Sequence, residues 1–112
     1  MTLILEQEQM TDMNIIGFQI ISNVGMAKSL VMEALYAAKD GGFELAEQKL
    51  QESWQYFVEG HKVHSSLIQQ EASGNKVEFS MLFMHAEDQL MSAETISELV
   101  KEMIEMYKRL EK

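Results

Sequence analysis

The sequence contains no cysteine and no proline. The first absence excludes disulfides and thiolate metal sites. The second removes the residue that most often breaks a helix, and suits an all-helical protein of long elements. Basic residues are also scarce: nine Lys and Arg stand against eighteen Asp and Glu, for a formal charge of −9. Nucleic-acid binding needs a basic face to displace counterions, so it is not expected; a partner with a basic surface is the more natural match. No apolar run approaches the roughly 20 residues of a membrane span. Residues 1–6 carry a short apolar patch without a basic region before it or a cleavage site after it. The expectation is a cytoplasmic protein without direct membrane insertion.

What is abundant is methionine, ten residues in 112. Met has good helix propensity and fills irregular gaps between helices. A chain of this length supports one core, burying roughly 65% of the surface its unfolded form exposes. Residues 1–10 contain no convincing cap and read as an N-terminal tail, frayed helix or disorder; 11–112 reads as a single domain. Thr11 or Asp12 is the candidate cap of a first helix, whose apolar positions Ile16, Ile20, Val24, Ala27, Val31, Leu35 and Ala38 recur at threes and fours. It ends near Ala38, before the turn signal Asp40-Gly41-Gly42. A second helix runs from near Phe43 to near Ala72, with the stripe Phe43, Ala46, Leu50, Trp54, Phe57, His61, His64 and Ile68. Gly74 after it suits a left-handed cap. A third helix is predicted from about Glu78 to Leu110, with Lys108, Arg109 and Lys112 at its negative end. Three helices and two short Gly-containing turns give an antiparallel up-down-up three-helix bundle.

The third helix has more apolar surface than one core needs. Leu82, Ala86, Leu90 and Ala93 form one row, continued through Ile96, Val100, Met103 or Ile104, Tyr107 and Leu110. Met81, Met84, Asp88 and Met91 form a second, offset row, continued through Thr95, Leu99 and Met106. Helices of about 30 residues against a mean near 12, with a second apolar face, are expected where bundles associate side by side. Asp88 interrupts that face. It is either an ordinary exposed carboxylate or, in a closed cyclic oligomer, one of several converging on the axis, where a hard cation such as Mg²⁺ would offset their repulsion.

Three histidines are present. His61 and His64, three apart on one face, are either a metal pair or two partly buried imidazoles on an apolar stripe. His85 falls between the two rows of the third helix, near a surface yet held by packing. Imidazole is nucleophilic near neutral pH and can accept a phosphoryl group or act as acid or base; a lone helical His is as readily structural. There is no Walker loop, no usable Ser-His-Asp set and no paired-carboxylate signature, so an enzyme acting alone on a small substrate is poorly supported.

Residues 84–91, Met-His-Ala-Glu-Asp-Gln-Leu-Met, resemble the x-H-A-Q-D-H-L-M motif of the lactose/cellobiose-type enzyme IIA of the bacterial phosphoenolpyruvate-dependent sugar phosphotransferase system. Residues 14–18 are similar to the family's first-helix opening, 67–74 to its L-I-Q-x-E-A-x-G stretch, and 98–108 to its E-L-x-x-x-x-I-x-L-Y-K ending, with Met106 for the last Leu. The resemblance covers about residues 11–112. It implies a three-helix subunit in a homotrimer. His85 would accept a phosphoryl group from the histidine-containing phosphocarrier protein and pass it to a cysteine of enzyme IIB during sugar uptake. Asp88 would gather around a metal, Mg²⁺ or another divalent cation, at the trimer axis.

Two positions depart from the motif: Glu87 stands for Gln and Gln89 for His. Gln89 lies one turn beyond His85 and keeps an NH₂ donor for a phosphoryl oxygen. Glu87 opposes phosphorylation by Coulomb repulsion if it points at the site and is harmless if it points outward. The alternative is therefore a phosphorylation-impaired regulatory or scaffolding relative of the same fold. A third reading is a metal-dependent enzyme using His61, His64 and His85.

Overall fold

A computed structural model describes residues 2–111, with side chains described from Met13 to Glu111. It contains three helices, α1 (Thr2–Lys39), α2 (Phe43–Ala72) and α3 (Met81–Leu110), and no strand among the described residues. They run up, down and up in a rod 67 Å long and 24 by 19 Å across. The central element is α1, which packs extensively on both α2 and α3, while α2 and α3 meet far less.

The turns follow from glycine. Gly41 and Gly74 have φ of 81° and 92°, a region that costs other residues but not Gly. Each ends its helix in a Schellman arrangement. The Gly42 amide donates to the Ala37 carbonyl and Gly41 to Ala38; Asn75 donates to Gln70 and Gly74 to Glu71. Ser80, in extended conformation, accepts a 2.9 Å hydrogen bond from the Phe83 amide and caps α3. The third helix therefore begins at Met81 and not near Glu78. The first helix also differs from expectation. It passes unbroken through Thr11 and Asp12, because neither Gly nor Pro interrupts residues 2–16, so its start is not set by a cap there. The side chains of residues 1–12, and Lys112 with its expected dipole role, lie outside the described residues.

The core follows the expected stripe on α1: Ile20, Val24, Ala27, Val31, Leu35 and Ala38 are buried. On α3 it is Ala86, Leu90, Ala93, Ser97, Val100 and Ile104. Ile104, not Met103, takes the inward position, and Leu110 is exposed. On α2 the inward face is rotated from the expected one: Ala46, Ser53, Phe57 and Gly60 are buried, whereas Trp54 is 61% and Ile68 54% exposed. The reason is bulk. Small Ser53 and Gly60 let α2 lie close to α1 and α3, and Ser53 satisfies its hydroxyl on the Leu50 carbonyl at 2.6 Å. The stretch Met13–Lys39 also proves long and apolar enough, at mean hydropathy 1.4, to span a membrane by composition alone, contrary to the expectation that no run comes close. Its apolar stripe is what the other two helices cover, so the composition is that of a bundle's central helix.

Gly60 offers a stability test. A Cβ placed there would sit 3.5 Å from Leu90 Cδ1 and 3.8 Å from Val24 Cγ2, ordinary contact distances. Gly60→Ala is expected to stabilise the chain by about 0.5–1 kcal/mol through helix propensity and lower unfolded-state entropy. Urea denaturation at fixed protein concentration measures it; a destabilised variant would mean the seam has no room for a methyl group.

Candidate functional site

The second row of α3 faces outward. Met81, Met84, Asp88, Met91, Leu99 and Met106 are all exposed, with Met84 at 49% and Met91 at 57%. One apolar row joins the bundle and the other remains on its surface, as the periodicity implies. His85 lies on the second turn of α3 and is exposed. Beneath it, Ala86 and Leu90 are fully buried and fix the rotation of the helix. Gln89, one turn on, is half-buried. Asp88 is exposed, on the Met side of His85. His85, Asp88 and Gln89 thus share one outward sector of α3, with a nucleophile, a carboxylate and an amide donor.

Glu87 does not share it. Its carboxylate turns to α2, where Oε2 contacts His64 Nδ1; the side chains are 20% and 29% exposed. The contact is close but poorly aligned: neither His64 Nδ1 nor Glu87 Oε1 has a hydrogen-bond partner by direction as well as distance. It is an imidazole–carboxylate contact rather than a well-formed hydrogen bond. Two turns along α3, Glu94 Oε1 stands 2.6 Å from His61 Nε2, again without hydrogen-bond alignment. Beside this second pair a groove of ≈ 280 Å³ opens between α2 and α3, lined by Trp54, Phe57, Met91 and Lys101 among others.

The three histidines are therefore not one cluster. His61 and His64 are each engaged by a different glutamate, and no group of three or more His, Asp or Glu among the described residues is placed to hold a metal. This ends the reading of a His61–His64–His85 metal enzyme, and among the described residues Asp88 belongs to no such group of three within the chain. The two cross-helix pairs were not foreseen. Their only trace in the sequence is His at 61 and 64 and Glu at 87 and 94 on helices that prove to be neighbours.

The class so defined is a small all-helical protein that presents one imidazole, with a carboxylate and an amide beside it, on an exposed apolar face of its last helix. The chain belongs to the family described as "PTS system, Lactose/Cellobiose specific IIA subunit", whose model matches residues 15–108. It is 37% identical over 98 residues to a lactose-specific EIIA component of the phosphotransferase system of Staphylococcus epidermidis, covering 88% of this chain and 94% of that one. It is 41% identical over 99 residues to the lichenan-specific phosphotransferase enzyme IIA component of Bacillus subtilis, covering 88% and 90%. Among solved structures, the cellobiose-specific enzyme IIA of Bacillus anthracis superposes with a TM-score of 0.83 at 45% identity, covering 86% of this chain and 88% of that one. The IIA(chitobiose)–HPr complex of Escherichia coli superposes at 0.77 and 32% identity, covering 89% and 97%.

Proposed function

We propose that this chain is a phosphocarrier of sugar uptake, accepting a phosphoryl group on His85 and passing it on. The observation that carries the reading is His85 itself, exposed on a helix whose rotation the buried Ala86 and Leu90 fix. The donor is the phospho-histidine form of HPr, the histidine-containing phosphocarrier protein, with which a structural neighbour is complexed. An unprotonated nitrogen of His85 attacks phosphorus; the new N–P bond forms as the donor's N–P bond breaks. A cysteine thiolate of enzyme IIB then attacks, forming S–P as the His85 N–P bond breaks. Gln89 donates its NH₂ to a phosphoryl oxygen. Catalysis is positioning and charge stabilisation, since the chemistry needs no other reacting group. The net charge of −9 suits docking to basic partner surfaces. The setting is cytoplasmic, where both partners reach the exposed site.

The same proposal includes a homotrimer, which would cover the exposed Met row of α3. Asp88, set in that row between Met84 and Met91, fits an axial position. Three equivalent carboxylates would there hold Mg²⁺ or a similar hard cation, which supplies charge compensation and takes no part in phosphoryl transfer. Asp88→Leu is accordingly expected to retain or strengthen the trimer, because replacing buried like charges by apolar side chains is often neutral or stabilising. Light scattering reads the mass; a clean shift to monomer would place Asp88 elsewhere.

The alternative of a phosphorylation-impaired regulatory or scaffolding relative loses its main support, because Glu87 is turned to His64 and away from His85. The deciding experiment incubates the chain with phosphoenolpyruvate, enzyme I and HPr. The expected product carries one acid-labile phosphate per chain on His85; a chain that stays unmodified would reject the carrier reading.

A further inference from the structure

We propose that Lys28 supplies the positive charge of the site: from the flank of α1 that faces α3, its ammonium group draws the anionic phosphoryl group toward His85. The inference rests on the phosphocarrier reading. A chain of net charge −9 that takes up an anion beside Asp88 needs a cation within electrostatic reach. On α3 the first basic residue after His85 is Lys101, about 24 Å further along a helix rising 1.5 Å per residue. On α2, Lys62 is paired with Glu59. On α1, the twenty residues from Met13 to Met32 carry a single charge, Lys28. It is exposed and has no ion-pair partner among the described residues, whereas Lys49 and Lys108 each have a glutamate.

Helix geometry sets Lys28 and His85 on facing flanks. Residues 18 apart on a helix point the same way, and residues 7 or 11 apart do so to within about 20°. Met103 and Tyr107 of α3 line a groove with Leu35 and Lys39 of α1. They follow His85 and Gln89 by 18 residues, so that pair stands on the same α1-facing flank. Lys28 precedes Leu35 by 7 and Lys39 by 11. It also follows by 11 Gly17, where a Cβ would lie 3.3 Å from Leu82 Cγ. Lys28 therefore stands on the α3-facing flank of α1. The Gly17 contact also sets the register of these two parallel helices, placing Lys28 about level with residue 93 of α3. Helical side chains lean toward the N-terminus, which brings the ammonium group up to the level of Gln89. From there it is about 10 Å from a phosphoryl group on His85. The way between is open: a Cβ on Gly25, one turn before Lys28, would meet nothing within 4 Å. The Met row that a trimer would cover lies on the other side of His85, which leaves the α1-facing flank to the donor.

The test uses the full chain as wild type, Lys28→Gln, Lys28→Glu and Lys28→Arg, with Lys62→Gln and Lys76→Gln as controls for loss of a cation elsewhere. Each is treated with phosphoramidate, a small anionic phosphoryl donor, and in parallel with diethyl pyrocarbonate, a neutral reagent that carbethoxylates imidazole and releases ethanol and carbon dioxide. Both run at about pH 7.5, where ordinary imidazole is mostly unprotonated. With phosphoramidate, an unprotonated His85 nitrogen bonds to phosphorus while the donor's P–N bond breaks and ammonia leaves. Mass spectrometry reads the tryptic peptide 77–101, in which His85 is the sole histidine. At about 10 mM salt, Lys28→Gln is expected to slow phosphoramidate labelling roughly two- to four-fold, the effect of one charge on a mono- or dianion at about 10 Å in water. Lys28→Glu doubles the change of charge and should slow it roughly four- to sixteen-fold. Lys28→Arg and both controls should stay near wild type, carbethoxylation should be unchanged, and about 500 mM salt should erase the differences. Equal slowing with both reagents, Lys28→Glu within two-fold of wild type, Lys28→Arg as slow as Lys28→Gln, a control as slow as Lys28→Gln, or no labelling of wild-type His85 would each overturn the proposal. Phosphoramidate needs no partner protein. Failure of HPr to phosphorylate the wild type would therefore refute the carrier reading while leaving the Lys28 comparison readable.

Discussion

Replacing His85 with Ala is expected to abolish phosphoryl acceptance completely while leaving the fold as stable as before, within about 0.5 kcal/mol. The loss is total because the step is covalent: no other side chain of the outward sector can replace the attacking nitrogen. Asp88 could form only an acyl phosphate, which alkali cleaves and a phosphohistidine survives, and Gln89 offers only an amide. The fold survives because His85 is exposed, at a helical position where Ala has the higher propensity. The measurement pairs the phosphate count after incubation with phosphoenolpyruvate, enzyme I and HPr with a urea melt of the same sample. Residual acid-labile phosphate in the variant would move the acceptor to His61 or His64, each of which is engaged by a glutamate on α3.

Leu90→Ala is expected to be the most damaging single change to the fold. Leu90 has no exposed surface, and its Cδ1 reaches the place a Cβ on Gly60 would meet, 3.5 Å away. It sits beside Gly60 of α2 and near Val24 of α1, whose Cγ2 lies 3.8 Å from that same point on Gly60. Truncating it removes a buried isopropyl group from a junction already built around a glycine, so little can collapse into the space. The expected cost is about 2–5 kcal/mol against a total of about 5–15 kcal/mol for a chain of this kind. A shift of the thermal midpoint by more than about 10 °C would follow. Scanning calorimetry at matched concentrations checks it; a loss under about 1 kcal/mol would show that the junction repacks. The site would be affected indirectly, because Leu90 and Ala86 together set the rotation that turns His85 outward.

Much of this was legible from local pattern. The row Leu82, Ala86, Leu90, Ala93 and the row Met81, Met84, Asp88, Met91 separate in the structure as they do in the sequence, one inward and one exposed. Gly41 and Gly74 take the left-handed conformations that their positions after helices suggest. Trp54 was misplaced because the threes-and-fours pattern of α2 admits two adjacent faces, and periodicity cannot choose between a large side chain and the smaller Ser53. Residue volume at the contact with α1 makes that choice. The Ser80 cap was missed for a different reason: residues 78–80 are compatible with helix until the Ser hydroxyl competes for the Phe83 amide.

The sequence by itself determined three long helices, their two glycine turns, a surplus apolar face on α3, and His85 with Asp88 on that face. These are consequences of spacing within one segment, which 3.6 residues per turn converts directly into direction. Only the tertiary structure decided that α2 presents Ser53 and Gly60 inward, and that Glu87 and Glu94 are taken up by His64 and His61. Such choices depend on the rotation and axial register of one helix against another, quantities set by the packing of all three together and written in no single stretch of the chain.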